Sequence, residues 1–114
     1  MTLRNRREVA KFYAKVLTDL GRQPIKIENT GDPNTPAINV LDHCLCMCGE
    51  IQTFIEQHRI DKADRWIGFI QGVFAAYCMY TIREMAEHNR TGAGTVKVVG
   101  DLLTVWNSSL TFPK

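Results

Sequence analysis

Three of the four cysteines, Cys44, Cys46 and Cys48, alternate through the stretch HCLCMCGE beside His43, and thiolates next to an imidazole are donors that a zinc ion accepts. On a helix, however, Cys44 and Cys48 share one stripe while Cys46 points away, so a single ion cannot gather all three. Structural zinc sites also show Cys-x-x-Cys pairs, and only Cys78 remains elsewhere. No metal site is therefore assigned, and the thiols are expected to act as small apolar core residues. A cysteine nucleophile with His43, His58 or His88 as its base lacks any local signature.

Carboxylates offer a second chemistry. Asp61 with Asp64, and Glu84 with Glu87, stand at helical i, i+3 spacing, as in helical nucleotide pyrophosphohydrolases that hold magnesium. The order and identity of the acids do not match that pattern, and Asp61 is expected to cap a helix instead. Gly92 and Gly94 follow a helical stretch, so they are no dinucleotide fingerprint. No catalytic residue is assigned and no cofactor is expected. A magnesium-dependent nucleotide hydrolase is kept as the last alternative.

Cations and aromatic rings offer a third. Lys62, Arg65 and Trp66 open an apolar segment, and Arg83, His88, Asn89 and Arg90 follow it. Trp66 or Tyr80 can stack on a base while arginines hold phosphates. On this basis Arg65, Trp66, Gln71, His88 and Arg90 are the expected ligand contacts. Arg4, Arg7, Lys11 and Lys15 form a basic ridge held in reserve, although such a ridge is more often the solvated side of an amphipathic helix.

These residues need a scaffold, and the pattern predicts a mainly α chain, a small bundle of about four helices in one domain over residues 1–114. An N-terminal amphipathic helix occupies 1–21, with Val9, Phe12, Tyr13, Val16, Leu17 and Leu20 on one face and Gly21 at its end. Residues 22–36 carry three prolines and read as a loop. The helical core, 37–90, starts with a helix over about 37–57 that places Ala37, Val40, Leu41, Cys44, Cys48, Ile51 and Ile55 on one stripe and Asp42, Cys46, Glu50 and Gln57 opposite. Thr81 and Glu84 form a capping box for a fourth helix. The extension 91–114 fits a short β-hairpin around Gly100 and Asp101, or a poor helix.

The third helix carries the strongest signal. From Trp66 to Met79 its only strongly polar residue is Gln71, so it must be covered on more than one side. Trp66, Phe69, Ile70, Val73, Phe74 and Tyr77 are its expected bulky face, with Gly68, Gly72, Ala75 and Ala76 roughly opposite. Two glycines inside a helix cost about 1 kcal/mol each against alanine, which points to close packing of another backbone. Either the fourth helix or a second copy of the chain supplies it, and a homo-oligomer is the economical answer.

Fourteen Lys and Arg against twelve Asp and Glu leave a net charge of +2, too balanced for a general nucleic-acid binder. Neither a secretory leader nor a membrane span is readable. The expectation is a cytosolic chain with reduced thiols, in which the glycosylation-like triplets at Asn89 and Asn107 are coincidental.

The segment DKADRWIGFIQGVFAAYCMYTIREMAEHNR, residues 61–90, resembles a family of small uncharacterised proteins of tailed bacteriophages. The likeness rests on Lys62, Arg65, Trp66, Gly68, Phe69, Gln71, Gly72, Thr81, Ile82, Glu84, Met85, His88, Asn89 and Arg90. It covers about a quarter of the chain, departs at Phe74, and leaves the extension from Thr91 unmatched. The resemblance implies a phage protein acting in the host cytoplasm and carries over no activity or binding residues. Joined to the residue chemistry, it gives the expectation of an accessory protein that sequesters a small phosphorylated or nucleotide ligand without turning it over. The alternative is a module that inhibits a host protein through the first helix or the long loop.

Overall fold

The computed structural model describes residues 1–27 and 37–96, with four helices among them: α1 (Leu3–Asp19), α2 (Ala37–Glu56), α3 (Ile60–Ala76) and α4 (Ile82–Thr91). The mainly helical architecture and the helix count are as the sequence predicts. Most of the candidate hairpin, and residues 28–36 of the expected loop, lie outside the described residues.

Helix α1 starts because the Thr2 side chain accepts a hydrogen bond from Asn5 N–H. It stops in a Schellman turn, where Gly21 takes φ 78° and the N–H groups of Gly21 and Arg22 donate to Thr18 and Leu17 carbonyls. Its apolar stripe, Val9, Ala10, Phe12, Tyr13, Val16 and Leu17, is fully committed to the core. Helix α2 runs antiparallel to it, since Arg22 meets Asp42 at one end and Gln52 donates to the Arg7 carbonyl at the other. The expected α2 stripe is buried from Val40 to Ile55. One member of its polar side is corrected: Asp42 is buried, because it accepts from Gln23 N–H (3.1 Å) and faces the Arg22 guanidinium (3.6 Å).

Helix α3 differs from expectation in three ways. It starts at Ile60 after Arg59, so Asp61 sits in the first turn rather than at the cap, where it still complements the helix dipole. It ends at Ala76, before Met79, because Cys78 adopts φ 58° and the N–H groups of Cys78 and Met79 return to the Ala75 and Phe74 carbonyls. Its buried stripe is Ala63, Ile67, Ile70 and Phe74, whereas Phe69 is 41% exposed. A segment apolar nearly all round gives periodicity little to choose from, and docking on α1 and α2 selects the face. The Gly68 and Gly72 side faces outward, and a Cβ at either would meet nothing within 4 Å.

Helix α4 opens on the predicted capping box, with Thr81 Oγ1 accepting from Glu84 N–H (3.1 Å) and Glu84 Oε1 accepting from Thr81 N–H (2.8 Å). It closes on Gly92 at φ 89°. A Cβ there would come within 3.0 Å of Glu8 Cβ, so glycine serves both the turn and the seat of α4 against α1. Among the described residues no helix is long and apolar enough to cross a membrane.

Candidate ligand-binding site

The first turns of α1 gather the elements that hold the candidate residues. Arg6 forks onto Asp64 of α3, Nε to Oδ1 at 2.6 Å and Nη2 to Oδ2 at 3.0 Å, and Asn5 Nδ2 donates to the Asn89 and Arg90 carbonyls of α4. These bonds satisfy carbonyls that the end of α4 would otherwise leave open. They also fix α3 and α4 side by side.

Between those helices runs a chain of polar contacts. Gln71 Nε2 donates to Asn89 Oδ1 (2.7 Å) and to Tyr13 Oη (3.0 Å), which uses both amide hydrogens. Tyr13 Oη lies 3.0 Å from His88 Nδ1. The phenol and the imidazole share one hydrogen bond there, its direction set by the imidazole tautomer. Burial pushes the Tyr13 phenol up to about 12, with the Gln71 bond acting in the opposite sense. The ring of His88 is 4% exposed, packed edge-on to Phe12 (5.0 Å) and Tyr80 (4.8 Å), with Gly94 closing over Nε2. His88 therefore belongs to the core beneath the site.

Above that chain lies a groove of about 320 Å³. Its floor is Gln71 and Asn89, and its walls are Gly72 and Ala75 of α3 facing Ile82, Met85 and Ala86 of α4. It shares Ala86 and Asn89 with a depression of about 570 Å³ lined also by Met1, Thr2, Asn5 and Arg90.

A third concavity, about 380 Å³, opens at the α2–α3 corner and is lined by His58, Arg59, Ile60, Asp61, Lys62 and Arg65. Its cations are ordered by aromatic rings. Lys62 Nζ sits 4.6 Å from the Phe54 ring centre and 5.7 Å from that of Trp66, and the Arg59 guanidinium lies 5.2 Å over Phe54. Phe54 meets Trp66 edge to face at 4.8 Å. No side chain caps the start of α3, so its first N–H groups add to the positive field.

The expected contacts are thus divided. Arg65 lines the corner, Gln71 the groove, and Arg90, paired with Glu87, the depression beside it. Trp66 packs against Phe54 and supports Lys62. Arg4, Arg7, Lys11 and Lys15 are all exposed on the outer face of α1, with Lys11 near Glu8 (3.5 Å) and Lys15 near Asp19 (3.3 Å). Of the four candidate carboxylates, Asp64 is held by Arg6, Glu84 by the capping box and Glu87 by Arg90. Among the described residues no three His, Cys, Asp or Glu side chains converge as a metal site would require. Sequence reasoning gave no role to Arg59 or to the α4 wall of the groove. The one legible hint was Gln71 itself, since a lone amide in an apolar helix implies a partner. No family model, curated protein or solved structure matches the chain.

Proposed function

We propose that this protein is a non-catalytic binder of a small phosphorylated ligand. The observation that carries the reading is the α2–α3 corner, where Arg59, Lys62, Arg65 and His58 surround one concavity, with Asp61 the only acid among the described residues that line it. Held over Phe54 and Trp66, Lys62 and Arg59 lose little freedom when an anion arrives, so more of the charge-assisted bonding is retained as affinity. Three of the four carboxylates a magnesium hydrolase would use, Asp64, Glu84 and Glu87, are committed to ion pairs and a helix cap, which favours capture over turnover. In an infected bacterium such a protein would withdraw a phosphorylated signal without destroying it.

Calorimetric titration with inorganic pyrophosphate at low salt tests the reading. Arg65→Ala and Lys62→Ala should each weaken binding by about tenfold, the scale of one charge-assisted hydrogen bond, while Lys15→Ala on the far ridge leaves it unchanged. Equal loss in all three variants, or none in any, removes the site. Self-association through the outward side of α3 is the second reading, favoured by the exposure of Ile82 (78%) and Phe69 beside the open glycines. Light scattering on the same sample separates it, because a monomer mass at every concentration excludes it.

A further inference from the structure

We infer that the α3–α4 groove receives a planar nitrogen heterocycle of the nucleobase class, set edge-on against Gln71 and Asn89, which makes the bound species a nucleotide. The anionic end of this inference rests on the phosphate reading of the α2–α3 corner.

The hydrogen-bond chain beneath the groove determines what the groove offers. Gln71 has spent both amide hydrogens on Tyr13 and Asn89, which leaves its Oε1 as an acceptor. Asn89 has spent Oδ1, which leaves Nδ2 as a donor. Neither remaining atom has a partner among the described residues, and neither is sealed away from solvent. Turning both amides over together only exchanges the two roles, so one acceptor and one donor remain in either arrangement. The result is an acceptor and a donor side by side, on amides 2.7 Å apart. Nucleobase edges present the complementary pair, and Asn and Gln amides read them in two-point fashion.

The walls fit the same occupant. Gly72 lies inside a helix, where glycine costs about 1 kcal/mol against alanine, yet a Cβ at this position would touch nothing in the chain. What the missing side chain provides is an open wall opposite Met85 and Ile82, apolar on both sides. About 320 Å³ lies at the small end of ligand sites.

The register along α3 joins groove to corner. Arg65, Gly68 and Gly72 occupy one outward face at i, i+3 and i+7. Seven residues advance about 10 Å along a helix, and Gly68, bare of a side chain, leaves the path clear. A ring lodged at Gly72 therefore directs its phosphates towards Arg65 and Lys62.

The test uses the whole chain, titrated separately with ADP, GDP, CDP, UDP and inorganic pyrophosphate. At least one nucleoside diphosphate should bind about tenfold more tightly than pyrophosphate, the scale of one two-point amide contact to a base edge. Gly72→Leu should bring it down to the pyrophosphate level, leave pyrophosphate binding intact and raise the melting temperature. Ala86→Phe, which fills the groove from the opposite wall at an exposed position, should do the same to binding and guards against a misfolded first variant. If all four diphosphates bind like pyrophosphate, or if both filled grooves keep the advantage, the heterocycle assignment falls and the phosphate corner stands. If pyrophosphate and all four diphosphates fail to bind, the corner falls and the groove assignment with it.

Discussion

The cysteines behave as their surroundings dictate. Cys44 and Cys48 lie in the core, where burial pushes both thiols up to about 12. Cys46 is half-buried and raised mainly by burial, with its Sγ 3.7 Å from Glu50 Oε1. Cys78 is exposed. Iodoacetamide at pH 8 should therefore mark Cys78 first and reach Cys44 and Cys48 only on unfolding, as peptide mass mapping would show. The core placement of Cys44 and Cys48 was legible, because helical spacing alone puts them on the apolar stripe. The surroundings of His43 were not, since its Nδ1 accepts at 3.0 Å from the N–H of Ile27, 16 positions earlier in the sequence. Burial, the leading cause, holds this imidazole below its usual 6.5, with Glu50 opposing and Lys26 assisting. The unfolded chain thus takes up the proton first, and the stability His43 contributes above that value is lost as pH falls through and below it. Thermal melts between pH 7.5 and 5 should show this decline. His43→Asn, which can keep an acceptor without titrating in this range, should flatten it.

Helix boundaries were readable wherever the stop or start signal was chemically explicit. Thr81 with Glu84, and Gly21 after Leu20, are signals of that kind. The ends of α2 and α3 use the same Schellman geometry as α1, yet place His58 (φ 59°) and Cys78 (φ 58°) where glycine is normally found. Without the glycine there was nothing in the sequence to mark Ala76 as the end of α3. Side chains in the left-handed region carry about 1–2 kcal/mol of strain, partly offset in a glycine variant by its looser unfolded chain. Cys78→Gly should accordingly stabilise the protein by about 1 kcal/mol, a rise of roughly 4 °C in melting temperature for a domain of this size. A fall in melting temperature would mean that the thiol makes contacts worth more than the strain.

At the scale of the whole molecule, the parts of the site that sequence reasoning missed are those that join distant residues. Arg6 reaches Asp64 across 58 positions, and Gln71 reaches both Tyr13 and Asn89. No local pattern encodes such pairs. The fork of Arg6 on Asp64 is half-exposed, with 17% and 38% of the two side chains accessible. Asp64→Asn should cost about 1 kcal/mol, more at low salt than at high, in denaturant unfolding. Helix α4 buries only Met85 and His88 of its ten residues, and is tied down by Asn5, Gln71 and Tyr13. One side of the groove is therefore anchored in oil while the other hangs on polar pegs. Such a cleft is built like a hinged clip whose jaw should yield before its base, and Asn5 ties that jaw to the opening turn of α1.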